Sequence, residues 1–218
     1  MIVEVWSDVV CPWCYIGKRR FERALERLAA DPTFDMDVDV VFRPFQLDPH
    51  APPGTSMPVA EAYARKFGGP ERAAAVIDHV TTIAAGEGLE FRLDRARRAN
   101  TRDAHRVLGF AAHSDVPAAQ AALKERLLAA YFTNGEDVGD HDVLTRAATE
   151  IGLDGDGVRA SLDGDAGLSE LHAAAKTAAE AGITAVPTYV IDGRWSIPGA
   201  QDPDVFVQVL RRLAARAN

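Results

Sequence analysis

The sequence predicts an α/β fold split by a large all-helical insertion. Three observations predict it. The first fifty residues carry a strand–helix–strand pattern, residues 183–218 carry a strand–strand–helix pattern, and the segment between them carries helical signals only.

Each element follows from its local residues. Ile2 to Trp6 is a short apolar run before the polar turn Ser7-Asp8 and reads as a buried strand. From Trp13 the period becomes helical: Cys14, Phe21, Leu25 and Leu28 share one face, with Lys18, Arg19, Glu22 and Glu26 elsewhere. Pro12 suits the first helical turn, where its missing N–H is not needed. Asp31-Pro32 ends the helix. Asp37 to Arg43 alternates, with Val38, Val40 and Phe42 on one side, and predicts a second strand. Two strands joined through a helix should be parallel, with a right-handed crossover.

Residues 48–58, rich in Pro, Gly and small polar residues, read as an exit loop. Residues 59–182 then show no convincing strand. Ala-rich helical segments follow one another, broken at Gly68-Gly69-Pro70, Gly86-Glu87-Gly88, Ser114 to Pro117, Asn134-Gly135 and Gly152 to Gly157. The β pattern returns at Thr188 to Ile191. Asp192-Gly193 is a two-residue hairpin signal, and Arg194 to Ile197 is the return strand. Asp202-Pro203 caps a last helix that buries Val205, Phe206, Val209, Leu210 and Leu213. Two parallel strands followed by an antiparallel hairpin, with helices on both faces, is the thioredoxin fold. Residues 1–50 and 183–218 are expected to form it. Residues 51–182 are expected to form the inserted helical domain, whose last helix, about 166–181, can pack with the thioredoxin-like part.

Composition excludes several function classes. With 47% hydrophobic and 26% charged residues the chain is globular rather than disordered. A net charge of −8 argues against broad nucleic-acid or anionic-membrane binding, which favour a basic face. No stretch approaches the roughly 18 uninterrupted apolar residues of a membrane span. The amino terminus MIVEVWSDVV shows no basic leader and no cleavage site, so a cytoplasmic location is expected, although a chain with its leader removed would read the same.

The two cysteines, Cys11 and Cys14, stand in one CxxC. A structural zinc site would need two further ligands, and the six histidines are scattered without an HxxxH pair, so no metal is expected. The spacing points to redox chemistry. Cys11 lies at the junction of strand and helix, where the unpaired N–H groups of the first turn favour thiolate over thiol. Thiolate is the nucleophile of disulfide exchange, so Cys11 is the expected attacking sulfur. Cys14, one turn on and on the buried face, is the expected resolving sulfur. Pro12 and Trp13, between them, offer the thiolate no ionised partner, so the helix terminus must supply most of the stabilisation. The Trp13 ring either stacks on substrate or packs internally.

Val186-Pro187-Thr188 is the second element of the site. In this fold the proline before the third strand is usually cis and lies against the CxxC. The Val186 backbone would then face the substrate, and a peptide could pair with it as an extra strand. The alternative is a trans proline that merely starts an edge strand. Asp8, three residues before Cys11, either relays the Cys14 proton or is a turn residue in water. Lys18, one turn beyond Cys14, reads as part of a solvated helix face.

With CPWCYIG at Cys11 to Gly17 and AVPT at Ala185 to Thr188, the chain resembles the DsbA family of thioredoxin-like oxidoreductases, and within it the FrnE-like branch. FRPFQLDP at Phe42 to Pro49, NTRDAHR at Asn100 to Arg106, YFTNGEDVGDHDVL at Tyr131 to Leu144 and GITAVPTYVIDGRWSIPGAQ at Gly182 to Gln201 extend the resemblance over most of the chain. It implies a thioredoxin fold interrupted by a helical domain, and thiol–disulfide oxidoreductase or isomerase activity. The expected partners are protein or small-molecule disulfides, with no bound cofactor and glutathione as an allowed exchange partner. The inserted domain should roof the site. Phe45, Gln46, Asn100 and His105 are then substrate-cleft residues; the alternative makes Asn100 a helix N-cap and His105 a satisfied buried polar residue. Tyr131 and Phe132 read as core.

The related 2-hydroxychromene-2-carboxylate isomerases and kappa-class glutathione transferases share the layout but typically carry serine at the first active-site position. They suggest the alternative, a glutathione-dependent isomerase or transferase acting on an aromatic or polyketide substrate. A non-catalytic peptide-binding scaffold is a third reading. A homodimer through the helical domain is left open.

Overall fold

The computed structural model describes every residue except Pro53, Thr55, Ser56 and Asn218. Part of the exit loop expected over 48–58 therefore lies outside the described residues. The main sheet has the order β2-β1-β5-β6. β1 (Ile2–Ser7) pairs in parallel with β2 (Asp39–Pro44), Ile2 opposite Asp39 and Ser7 opposite Pro44. β1 also pairs antiparallel with β5 (Thr188–Ile191), which pairs antiparallel with β6 (Trp195–Pro198). β2 begins two residues later than the alternation suggested, because Met1 and Asp37 already form the approach: the amino terminus donates to the Asp37 carbonyl. Asp192 and Gly193 both hold positive φ, 48° and 67°, and Arg194 N–H donates to the Ile191 carbonyl. That is the type I′ turn expected of Asp-Gly.

α1 (Pro12–Ala29) lies between two apolar layers. One face carries Phe21, Ala24 and Leu28 onto the sheet and onto α9 (Pro203–Ala217), where Phe21, Tyr189 and Phe206 meet at ring-centroid distances of 4.7–5.1 Å. The opposite face carries Tyr15 and Ile16 into the helical core. There Tyr15, Phe91 and Phe132 cluster, the last two stacked 4.4 Å apart. Each such fully buried large apolar side chain contributes about 1.5–3 kcal/mol.

Lys18 is the exception to the predicted solvated face. It is buried, and its ammonium pairs with Glu22 and Glu125. Glu125, distant in sequence, packs on that side of α1, so the expected exposure is corrected by a contact that helical periodicity does not report.

The helical part comprises α2 (Val59–Phe67), α3 (Pro70–Gly86), α4 (Arg102–Ala112), α5 (Ala119–Ala129), α6 (His141–Glu150), α7 (Gly155–Asp163) and α8 (Leu168–Glu180). α5 runs on into a π-helical turn, Ala130–Asn134, that buries Tyr131 and Phe132. The segment also contains strand. β3 (Met57–Pro58) pairs with β4 (Arg97–Arg98), correcting the expectation of none over 59–182. A two-residue ladder is too short to show a period of two. Leu89, Phe91 and Leu93 are buried in non-helical chain between α3 and β4.

α8 packs back on β2, where Ala178 and Ile183 join Trp6 in a small apolar cluster flanked by Phe45 and Val186. No helix among the described residues is long and apolar enough to cross a membrane.

Candidate active site

The chain leaves β1 at Ser7 and enters α1 at Pro12, so the residues between form the strand-to-helix junction at the end of the central parallel pair. Cys11 is the N-cap, with extended backbone (φ −92°, ψ 115°), and its carbonyl accepts from the N–H of Cys14 at 3.0 Å. Pro12 occupies the first helical position. Both cysteines are free and buried, at 4% and 3% exposure. From the other side of the fold the Val186–Pro187 bond, which is cis, brings the Val186 carbonyl to the thiol: Cys11 Sγ donates to it at 3.7 Å. Thr188 follows in β5, and its hydroxyl donates to the Ala185 carbonyl.

Gly17 explains how close these segments come. A Cβ at that position would lie 2.8 Å from the Tyr189 hydroxyl and 3.0 Å from Pro187 Cγ. The glycine of CPWCYIG lets α1 lie directly against the Pro187 loop.

Asp8 is not a turn residue in water. It is fully buried. Its Oδ1 accepts from the Val9 N–H at 2.8 Å and faces Nε2 of His105 at 3.1 Å, and its Oδ2 accepts from the Leu47 N–H at 2.8 Å. Burial alone would raise its pKa. The bond and charge of His105, with help from Leu47 and Lys124, outweigh burial and hold the carboxyl below the usual range. The Cys14 sulfur meets the Asp8 backbone N–H, yet burial and the neighbouring Cys11 push its thiol well above its ordinary value. The thiol form of Cys14 is thereby favoured over the thiolate.

Lys124, which the sequence reading did not single out, completes this cluster. It stands on α5 at 1% exposure, and its Nζ makes no hydrogen bond and sits 5.9 Å from the centre of the Phe42 ring. Burial lowers its pKa, opposed by the charges of Cys14, Asp8 and Cys11. Its field in turn favours the Cys14 thiolate. Tyr63 on α2 is a second unpredicted neighbour. Burial and the Cys11 charge push its hydroxyl up to about 12, so it stays protonated. No clear sequence signal marks Lys124: Leu123 precedes it, but Glu125 and Arg126 follow it.

The remaining predicted residues lie as follows. Trp13 is half-buried against the helical core, its ring 6.2 Å from that of His79. Phe45 and Gln46 line a separate cavity of about 190 Å³ with Pro49, Leu171 and Ile183, and Gln46 Nε2 makes no hydrogen bond there. Asn100 lies just before the N-cap Thr101; its Oδ1 accepts from the Arg102 N–H at 2.9 Å and its Nδ2 donates to the Ala51 carbonyl. It thus caps the start of α4 from one residue outside the predicted position. The structure brings Cys11, Cys14, Asp8, His105, Lys124 and Val186 together, and leaves Phe45, Gln46 and Asn100 on neighbouring features.

Comparisons with known proteins agree with this architecture. A family model described as DSBA-like thioredoxin domain matches residues 2–211. The protein YwbO of Bacillus subtilis (strain 168) is 31% identical over 226 residues, covering 95% of this chain and 94% of that protein. The structure of probable DsbA oxidoreductase SCO1869 from Streptomyces coelicolor superposes with a TM-score of 0.89 at 38% identity, covering 100% of this chain and 91% of the other. The cytosolic disulfide reductase DsbM from Pseudomonas aeruginosa, solved with GSH, shares the fold at a TM-score of 0.62 and 16% identity, covering 98% of each chain. A matching family model over nearly the whole chain, a relative 31% identical over 95% of it and a CxxC at a helix N-terminus lead to one conclusion: the chain belongs to the DSBA-like thioredoxin domain family and falls in the thiol–disulfide oxidoreductase class.

Proposed function

We propose that the protein exchanges disulfides with protein or small-molecule substrates, with Cys11 attacking and Cys14 resolving. The observation that carries this reading is the placement of the two thiols: Cys11 is the N-cap of α1 beside the Val186 carbonyl, and Cys14 lies one turn on, buried behind it. Cys14 is held protonated by burial until the second step. In the first step Cys11 attacks a substrate disulfide, forming a mixed disulfide and releasing one substrate thiolate. In the second Cys14 attacks Cys11 Sγ, closing the internal disulfide and releasing the other substrate thiolate; the substrate is reduced and the pair oxidised. The reverse sequence oxidises a substrate dithiol.

The Val186 backbone, aligned beside Cys11, is the surface for an extended substrate, with Pro187 and Thr188 holding it in place. Phe45, Gln46, Asn100 and His105 are proposed as further substrate-cleft residues, and Trp13, between the two thiols in sequence, as a supporting residue whose ring can stack on substrate. Glutathione, which the DsbM structure contains, is proposed as a small-molecule exchange partner. A glutathione-dependent isomerase would need only the first thiol, and nothing about Cys14 in the structure favours that reading.

The test is trapping. Cys14→Ser incubated with oxidised glutathione should accumulate a mixed disulfide at Cys11, read by intact mass. Cys11→Ser should not react, and the double variant should lose exchange altogether. Exchange that survives loss of both thiols removes the proposal.

A further inference from the structure

We propose that Arg20 is a positioning residue for peptide substrates: anchored by Glu87 of the helical insertion, it fixes the turn after β6, and that turn aligns the Val186–Pro187 backbone beside Cys11. The proposal rests on the thiol–disulfide reading above and adds a residue that reading does not use.

The geometry starts on α1. Cys14, Gly17 and Arg20 lie on one i, i+3 row of the helix. At Gly17 that row meets two other segments: a Cβ there would lie 3.0 Å from Pro187 Cγ and 3.2 Å from Ala200 Cβ. Arg20 follows one turn on, directed at the same turn of chain.

Three hydrogen bonds then run from the insertion to the substrate loop. Arg20 Nε donates to Glu87 Oε1 at 2.6 Å. Arg20 Nη1 donates to the Ala200 carbonyl at 2.8 Å. The Gly199 N–H donates to the Pro187 carbonyl at 2.7 Å. Glu87 is the C-cap of α3, its side chain is 9% exposed, and Arg23 pairs with it as well. This nearly buried carboxylate fixes the direction of the Arg20 guanidinium. The Gly199–Pro187 bond continues the β5–β6 ladder one step past its last pair, Thr188 opposite Pro198. Gly199 holds φ at 79°, which turns the chain off β6 and carries Ala200 over α1. One residue before Pro187, the Val186 carbonyl is the group that Cys11 Sγ meets at 3.7 Å.

Arg20 differs from the other arginines of its helix. Arg19 pairs with Glu22 and Glu125, and Arg27 with Asp204, so both spend their donors on carboxylates. Arg20 divides its donors between a carboxylate and a main-chain carbonyl. The planar guanidinium holds those donors in a fixed relation, so an anchor at one end sets the position of the turn at the other. A simple ion pair would need only the first of the two bonds.

The consequence is selective. An extended peptide pairs through its own amide groups with the Val186 backbone, so it depends on how that backbone is aimed. A small disulfide without amides depends on Cys11 alone. The ratio of the two rates therefore isolates alignment, because a change in Cys11 itself alters both rates alike.

Stopped-flow oxidation of the reduced protein, followed by tryptophan fluorescence, gives the second-order rate constants for two probes. One is the disulfide-linked dimer of a blocked, uncharged linear peptide; the other is hydroxyethyl disulfide. Arg20→Met should lower the peptide-to-hydroxyethyl ratio about tenfold, the worth of one hydrogen bond to a charged group. Arg20→Lys keeps the charge but loses the fork, so it should lower the ratio too. Glu87→Gln should lower it about threefold, since the bond to Arg20 survives without its charge, and should add nothing in the Arg20→Met background. The same variant carries the test should Arg20→Met fail to fold. An unchanged ratio in Arg20→Met or in Glu87→Gln overturns the proposal, as does a Glu87→Gln effect that persists without Arg20. A wild-type ratio in Arg20→Lys overturns it as well, by assigning the effect to charge rather than position. Wild-type protein that reacts with neither disulfide would instead overturn the thiol–disulfide reading beneath it.

Discussion

Replacing Asp8 with Asn changes one atom in a fully buried site, and its cost can be worked from the bonds the carboxylate makes. Oδ1 serves the Val9 N–H and His105, and Oδ2 serves the Leu47 N–H. An amide has one oxygen. Whichever way it turns, its NH2 points at a backbone N–H that then has no acceptor, which costs about 1–3 kcal/mol. The remaining bonds lose their charge assistance, and the buried Lys124 loses a nearby counter-charge. Removing one partner of a buried charged arrangement costs about 3–5 kcal/mol in all. For a chain of this size that is a fall in melting temperature of about 6–20 °C. Urea unfolding and a thermal scan at pH 7 measure it. Asp204→Asn is the control, since that carboxylate is 85% exposed and pairs only with a surface arginine, Arg27. A loss below about 1 kcal/mol for Asp8→Asn, or one equal to the control, would refute the claim that this carboxylate organises the cluster.

Two further outcomes follow from the same reasoning. Arg102, Arg106 and His141 outweigh burial and hold the Asp103 carboxyl at about 2, below its ordinary 3.8. Because the folded pKa is depressed, the stabilisation is present above the unfolded value and is lost as pH falls from about 5 towards 2; it amounts to about 2 kcal/mol. The stability gap between wild type and Asp103→Asn in urea should shrink as pH drops through that window, and a gap independent of pH would contradict it. Gly17→Val should cost about 1–3 kcal/mol by overpacking against Tyr189, Pro187 and Ala200. It should also slow disulfide exchange by displacing the Pro187 loop; an unchanged exchange rate together with an unchanged unfolding midpoint would count against the close packing.

Much of the fold was legible because its signals are local. The Asp-Gly hairpin, Pro12 at a helix start, and the break before Pro70 each depend on a few neighbouring residues. The placement of the CxxC at a helix N-terminus was legible for the same reason: it follows from the strand and helix signals on either side. What stayed hidden depends on contacts between distant segments. His105 reaches Asp8 across 97 residues. Lys18 and Lys124 look like solvated lysines on charged helices, yet both are buried, and Lys18 reaches Glu125 across 107 residues. Gln120 shows the same effect: across 78 residues its amide both accepts from and donates to the Phe42 backbone, occupying the free edge of β2 there. The β3–β4 ladder was too short to leave a pattern.

The account's central claim is that Cys11 and Cys14 form one reversible dithiol–disulfide pair. Equilibration in glutathione redox buffers, with acid quenching and counting of alkylated thiols by mass, measures it directly. The account predicts a single two-electron transition in the wild-type protein, between the roughly −270 mV of thioredoxin and the roughly −120 mV of DsbA, and no internal disulfide in either single cysteine variant. Two alkylatable thiols persisting at every glutathione ratio would contradict it.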